Sequence, residues 1–185
     1  VMTTISNEEF INSLDNTIHS VLKVKSLIID TLVALRTQQS ITNQTAIELL
    51  KDFVLLLNES NYENSDNYEF LQEKEKEFNI YFKDKEYILE NYIVYDLYRN
   101  FMKAADSKNI HMVIVKMIIE YSMIKKLLLA KWNANNKIIE DDDIIDVIYS
   151  FSRTVEHNNT YIDKVYNSMK EAGYDTIAYL TIMIR

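Results

Sequence analysis

The feature that most constrains the fold of this chain is its lack of turn-forming residues with special backbone geometry. The 185 residues contain no proline and a single glycine, Gly173. Sheet proteins need glycine, proline or Asn-Gly at their tight turns, whereas helices can be joined by turns that Asn, Ser or Asp caps. The sequence therefore predicts an all-α fold.

The length and the hydrophobic content predict one folded domain with a substantial core. A chain of 185 residues suits a single domain, and 48% of its residues are hydrophobic. No repeat at a fixed period is evident, which disfavours a regular solenoid. We expect a single helical domain over residues 1–185, an irregular bundle of about seven or eight helices, with a lobe boundary at the polar loop 58–67 as an alternative. The opening Val1-Met2 and the abrupt end of the apolar segment 177–184 suggest a C-terminal fragment of a longer protein.

Hydrophobic periodicity places the helices along the chain. The segment of about 108–132 is apolar over most of its circumference, which is typical of a central helix packed on several sides. Asp106-Ser107 is expected to start it. Before it, the pattern predicts helices over about 6–36, from a cap near Thr42 or Asn43 to Leu57, over 68–82 and over 85–105. In the second of these helices we expect Ile47, Leu50, Phe53 or Val54, and Leu57 to point inward. After the central segment, the pattern predicts helices from Asp141 to about His157, from Thr160 to Ala172 before Gly173, and over 177–184.

Composition excludes several classes of function. With no cysteine, the chain cannot hold a disulfide, a thiol nucleophile or an iron–sulfur cluster. Its net charge of −8 and its lack of a basic patch argue against a nucleic-acid partner. The apolar stretch from Ile110 to Trp132 is interrupted by charged residues and no secretory segment opens the chain, so we expect no membrane partner and a cytoplasmic location.

The run from Glu140 to Asp146 contains the D-D-x-x-D spacing in Asp142, Asp143 and Asp146. This spacing places carboxylates on one helix face, where they can hold Mg²⁺ against a diphosphate, as in class I isoprenoid synthases. Acidic residues also gather at a helix N-terminus because they cap it and complement its dipole. We favour the capping interpretation, since no second metal motif is present.

The following residues carry a second candidate constellation. On a helix, Ile144, Ile148, Phe151 and Val155 form a buried stripe. A different face carries the four candidate catalytic residues together with Asp146, through steps of three and four residues. Such a face could form an anion-binding or acid–base site, or it could be an ordinary exposed surface with an ion pair. The four candidates are Tyr149, Arg153, Glu156 and His157.

A set of tyrosines lies in the helix predicted over 85–105. Helical geometry places Tyr87, Tyr95 and Tyr98 within about 80° of one another, with Tyr92 further round. Tyrosines in such a pattern can line a ligand cavity, but partial burial at the edge of a core is more common. We favour the core-edge interpretation.

Other sites are excluded by spacing. Neither E-x-x-H nor H-x-x-x-H occurs, so no helical metal site is predicted. One glycine permits neither a phosphate-binding P-loop nor a dinucleotide-binding motif. We therefore predict no metal and no cofactor within this chain.

The order of several short motifs resembles the C-terminal region of the flagellin lysine-N-methylase family. Glu90-Asn91-Tyr92-Ile93-Val94-Tyr95 is followed by an apolar helix containing Tyr121 and then by an acidic turn. That turn leads to Ile148-Tyr149-Ser150-Phe151-Ser152-Arg153 and to Glu156-His157-Asn158. The S-R-x-x-E-H pattern at the end of an amphipathic helix is the most specific part. The resemblance covers about residues 85–170.

This resemblance implies a bacterial enzyme that methylates lysine side chains of flagellin, with S-adenosylmethionine as methyl donor and a cysteine cluster that binds iron–sulfur. Because this chain has no cysteine, it would be the helical C-terminal domain without the metal-binding part, inactive alone. Flagellin is then the expected protein partner, and a homodimer is left open. The resemblance does not decide whether the four candidate residues act in catalysis or hold the domain together.

Two alternatives come from other classes. A helical ligand-binding and dimerisation domain of a transcription regulator would also be all-α, with an aromatic cavity, and would need a basic helix-turn-helix upstream. A small isoprenoid-type enzyme would use Asp142, Asp143 and Asp146 and would bind a diphosphate in the presence of Mg²⁺.

Overall fold

The architecture is that of an all-α bundle, seen in a computed structural model that describes residues 26, 28–32, 34, 43–59, 68–107, 109–156 and 160–184. Within those ranges every regular element is helical, as the sequence predicts. The seven α-helices are α1 (Gln44–Glu59), α2 (Tyr68–Phe82), α3 (Glu86–Ser107), α4 (Ile110–Ala134), α5 (Asp141–Phe151), α6 (Thr160–Glu171) and α7 (Ile177–Ile184). A 3₁₀ turn (Lys83–Lys85) joins α2 to α3, and a π-helical turn (Ser152–Glu156) follows α5.

The ends of the helices follow local capping chemistry. The Asn43 side chain accepts hydrogen bonds from the backbone N–H groups of Thr45 and Ala46 (3.1 and 3.4 Å), which satisfies donors that the first turn of α1 leaves unpaired. At the end of α6, Gly173 has φ +73°. The backbone N–H of its neighbour Tyr174 donates to the Met169 carbonyl (2.8 Å), and this hydrogen bond closes the turn. Both caps confirm the sequence prediction.

One predicted boundary is wrong. Asp106-Ser107 was expected to start the central helix, but the backbone of α3 remains helical through Ser107. The N-cap of α4 is instead Asn109, whose side chain accepts from the Met112 N–H at 3.0 Å. Asp, Ser and Asn all favour caps, so the composition of this segment permits several start points.

The centre of the molecule is α4, as its all-round apolarity predicts. It contacts each of the other six α-helices. Because α4 is enclosed from several directions, most of its second half is inaccessible to solvent. Its buried residues are Val115, Ile119, Glu120, Tyr121, Ser122, Met123, Ile124, Leu127, Leu128, Leu129, Ala130 and Trp132.

Two predictions fall wholly or partly outside the described residues. Most of the helix predicted over 6–36 lies there, although residues 26, 28–32 and 34 are helical and Ile28, Ile29 and Leu32 are buried in the core. Of the predicted loop 58–67, residues 58 and 59 still belong to α1 and residues 60–67 are not described. The lobe boundary therefore stays a prediction.

The buried face of α1 is rotated relative to the predicted one. Ile47 was expected to point inward, but it is 39% exposed, whereas Leu50, Phe53 and Leu57 are buried as predicted. Small Ala46 takes a buried position in the first turn, and Leu49 and Leu56 are also buried. Because α1 packs against both α4 and α5, its apolar face must cover two neighbours and is wider than a face that covers one.

Polar contacts hold the outer helices to the core. An ion pair between Lys126 of α4 and Glu75 of α2 is largely shielded from solvent. Ser122 of α4 donates to the Met183 carbonyl at 2.9 Å, which fixes the end of α7. None of the helices in the described ranges combines the length and hydropathy needed to cross a membrane.

Candidate functional site

The predicted candidate face lies on α5 and the π-helical turn after it. Ile144 and Phe151 are buried as expected, Ile148 is partly buried, and Val147 and Ser150 complete the buried side. The opposite side is open to solvent, and Tyr149 is 56% exposed there. The amphipathic pattern of this helix therefore fixes which side chains are available for function.

Tyr149 and Arg153 meet on this exposed face. The Arg153 Nη1 donates to the Tyr149 hydroxyl at 3.0 Å, and the guanidinium carbon lies 5.5 Å from the centre of the tyrosine ring. The π-helical turn carries Arg153 past the end of α5, and π turns of this kind occur often at functional sites. Glu156 contributes its backbone to that turn, while its side chain and all of His157 lie outside the described residues, so their convergence with Arg153 stays a prediction.

The acidic run before this face acts as a helix start. Glu140 and Asp143 form a capping box, in which the Asp143 carboxylate accepts from the Glu140 N–H at 3.1 Å. Asp141 forms an ion pair with Lys85, and this contact holds the pKa of the Asp141 carboxyl below its usual value. In the described part of the chain no group of three or more His, Asp or Glu side chains is placed to hold a metal ion. The capping interpretation of the D-D-x-x-D run accounts for the structure.

A cleft between α1 and α5 brings together carboxylates that the sequence separates by about 100 positions. We call it the acidic cleft, and its four carboxylates are Glu48, Asp52, Asp143 and Asp146. Its volume is about 310 Å³. Thr45, Leu49, Lys51, Lys131 and Val147 complete the lining. Four carboxylates against two lysines leave this cleft with a net charge of −2.

Partial burial perturbs one of these carboxylates. The loss of hydration raises the pKa of Asp52 above its usual value and is the largest effect. The positive charges of Lys131 and Lys51 lower this pKa, and the negative charge of Glu48 raises it. The net direction of the pKa is upward, because the loss of hydration outweighs the attraction of the two lysines.

Sequence reasoning missed this cleft, although half of its signal was present. Glu48 and Asp52 are four residues apart on α1, and Asp143 and Asp146 are three apart on α5, so each pair lies on one helix face. The pairing of these two faces across the bundle depends on how α1 and α5 pack together. No local pattern carries that information.

The predicted tyrosine set divides between the core and the solvent. Tyr92 is buried, and its hydroxyl lies 3.5 Å from the Glu120 carboxylate of α4. Tyr87, Tyr95 and Tyr98 share a face, as expected, but they are more exposed than core-edge tyrosines, at 52%, 61% and 78%. The core-edge interpretation is therefore wrong for these three, since α3 turns that face away from α4.

A buried polar contact beneath this face also escaped the sequence analysis. Asp96 is buried on α3, and its carboxylate accepts from Arg99 (2.6 Å) and Asn100 (2.7 Å) on the same helix. Asp96 and Asn100 are four residues apart, and Asp96 and Arg99 three, so the bonds follow helical geometry. Charge-assisted bonds of this type offset the cost of burying a carboxylate.

Comparison with known families identifies the chain. The family model of the FliB lysine N-methylase C-terminal domain matches residues 2–183. The chain belongs to this family. The match confirms the resemblance seen over about 85–170 and extends it to both ends of the chain. No curated protein and no solved structure matches it.

The groups expected of a whole methylase can be tested against the residues of this domain. An iron–sulfur cluster needs cysteine thiolates, and the chain has none, so its residues do not fit that group. For S-adenosylmethionine, the carboxylates of the acidic cleft could accept from its ammonium and ribose, but no aromatic side chain lines the cleft to stack on its adenine. Among the described residues, the acidic cleft is therefore not assigned to S-adenosylmethionine.

Proposed function

We propose that this chain is the helical C-terminal domain of a bacterial, cytoplasmic protein-lysine methyltransferase that acts on flagellin, and that it contributes to binding of the protein substrate. The observation that carries the proposal is the family match over residues 2–183. The charge of the chain supports it, because the side chain of a substrate lysine is cationic, while this domain has a net charge of −8.

Within this proposal, methyl transfer from S-adenosylmethionine takes place in the parent protein and requires a cysteine-rich, metal-binding segment outside this chain. The role left to the domain is to hold the substrate near that centre. Lysine methylation needs correct placement of one side-chain amine, and remote binding energy is a general means of achieving such placement. The domain is expected to be inactive alone.

The proposal is tested with the parent protein, the parent protein lacking this domain and the isolated chain. Each is incubated with purified flagellin and S-adenosylmethionine, and methyl-lysine is measured by mass spectrometry of the flagellin. We expect transfer by the intact protein, a loss of at least tenfold on removal of the domain, and none by the chain alone. Transfer by the isolated chain, or failure of the intact protein to modify flagellin, would contradict the proposal.

A further inference from the structure

The outward side of α3 is unusually apolar for a surface helix. Five large aromatic or apolar side chains lie within an arc of about 100° of the helix circumference, and the exposed polar residue Asn91 lies between them. We call this surface the α3 aromatic face, and it consists of Tyr87, Val94, Tyr95, Tyr98 and Met102, which are 52%, 51%, 61%, 78% and 67% exposed. The opposite side of the same helix carries the buried Leu89, Tyr92 and Asp96, and α3 packs on α4.

Such a face needs an explanation, because a surface helix normally directs polar residues to solvent. Large exposed apolar patches often mark interaction sites, and tyrosine and methionine are enriched in protein interfaces. In the described part of the chain α3 packs chiefly on α4 and on the turn before it. The Tyr87 hydroxyl donates to the Asp141 carboxylate at the start of α5 (3.4 Å), whereas Val94, Tyr95, Tyr98 and Met102 are at least half exposed among the described residues. Along the helix the face runs for about 22 Å, enough for a peptide segment or a helix.

Charge indicates what kind of partner fits. Glu86 and Glu90 are exposed at the N-terminal end of this face, and neither forms an ion pair among the described residues. On the other border the guanidinium of Arg99 is bonded to Asp96 and lies 5.8 Å from the centre of the Tyr95 ring, so its charge is compensated. In the turn before α3, Lys85 is paired with Asp141, and the formal charges of Lys83 and Asp84 cancel. The described charges that border the face are therefore acidic overall.

We propose that the α3 aromatic face docks a lysine-bearing segment of the protein substrate. This inference rests on the proposed function, since a lysine-modified substrate must present lysines. Tyrosine rings attract an ammonium group through their electron-rich faces, Val94 and Met102 can cover the aliphatic stem of a lysine, and Glu86 and Glu90 supply the opposite charge. A second copy of this chain would bring the same carboxylates and no described lysine on this face, so it lacks this complementarity.

The test uses the full methylase and purified flagellin monomer. The double variant Tyr98→Ala/Met102→Ala removes two strongly exposed side chains and should leave the fold intact, which circular dichroism and the melting temperature check. We expect KM for flagellin to rise about tenfold, equivalent to about 1.4 kcal/mol, with kcat unchanged. Ile80→Ala is the matched control, because Ile80 is equally exposed but lies on α2.

A second variant tests the charge component. For the wild type, KM should rise with salt, and this dependence should be weaker in Glu86→Gln/Glu90→Gln, since salt screens exposed charges. Flagellin methylation with unchanged KM in the Tyr98/Met102 variant would overturn the docking proposal and leave the proposed function standing. Dissociation of a wild-type dimer by that variant, seen by sedimentation, would overturn it in favour of a second copy. No binding or methylation of flagellin by the wild type would overturn both.

Discussion

At the scale of single residues, the fold depends on polar groups that are paired in particular ways. The Tyr81 hydroxyl accepts from the Ile139 N–H (3.0 Å) and donates to the Ile139 carbonyl (3.2 Å). Ile139 is fully buried, so its backbone groups cannot turn to water. One side chain of α2 thus satisfies both polar groups of the turn that leads into α5. A tyrosine suits this position because its hydroxyl forms these hydrogen bonds while its apolar ring packs near Trp132, with the ring centres 5.8 Å apart.

Asp52 of the acidic cleft provides a pH-dependent prediction. Burial raises the pKa of its carboxyl in the folded state above the unfolded value, so the folded state favours the protonated form. The stability that the protonated Asp52 carboxyl contributes is fully present below its unfolded pKa of about 3.8. That stability is lost as pH rises through the folded pKa. We therefore expect Asp52→Asn to raise the melting temperature at pH 7.

The measurement is a series of thermal melts between pH 3 and pH 8 for the wild type and the variant. The increase in melting temperature caused by Asp52→Asn should become smaller as pH falls and should vanish below the unfolded pKa. Asp142→Asn serves as the control, because Asp142 is exposed in the same acidic run but does not line the cleft. A lower melting temperature for Asp52→Asn at pH 7 would mean that Lys131 more than compensates the cost of burial.

At the scale of helices, local caps account for several of the boundaries. Asn43, Asn109 and the Glu140–Asp143 box each satisfy backbone donors of a first turn. The turn after α4 contains two residues with positive φ, Asn136 (56°) and Lys137 (65°), so asparagine supplies here part of what glycine supplies elsewhere. This is how a chain with a single glycine still reverses direction between helices.

Gly173 gives the prediction at this scale. Its φ of +73° places it in the left-handed region, and a Cβ built there meets no atom within 4 Å. The cost of Gly173→Ala is therefore one of backbone conformation alone, and we expect a loss of about 1 kcal/mol in the free energy of unfolding. Urea denaturation measures it. Gly173→Asn should lose less, because asparagine tolerates this region better; equal losses for both variants would contradict the conformational explanation.

At the scale of the whole molecule, α4 connects every described helix. A perturbation of α4 should therefore affect all of its neighbours, and the domain should unfold as one unit. Trp132, the single tryptophan, is buried near Phe78 and Tyr81 of α2, so its fluorescence reports on the contact between α2 and α4. Far-UV circular dichroism reports on all helices together.

We expect these two signals to give the same midpoint in urea, since cooperative single domains lose local and global structure together. Ile119→Ala, which truncates a fully buried side chain of α4, should lower both midpoints equally and cost about 2–5 kcal/mol. Ile177→Ala is a control of the same chemistry at an exposed position. Separate midpoints for the two signals would indicate independent lobes, in line with a boundary near 58–67.

Several features followed from the sequence alone, because they depend on local chemistry. The lack of proline and the single glycine predicted the all-α fold, periodicity gave the bounds of α2 as 68–82, and Asn43 and Gly173 marked helix ends. The resemblance of short motifs to the methylase family also needed no structure. In each case the decisive interaction lies within one helical turn or within the order of residues along the chain.

The tertiary structure decided what depends on contacts between distant segments. It turned Ile47 toward solvent, continued α3 through Ser107, joined the carboxylates of α1 and α5 into the acidic cleft, and left Tyr95 and Tyr98 uncovered. Helical periodicity shows which residues share a face of a helix, but it does not show which neighbouring helix covers that face. The sequence therefore determined the helices of this domain, and only their packing decided which of its side chains can bind a partner.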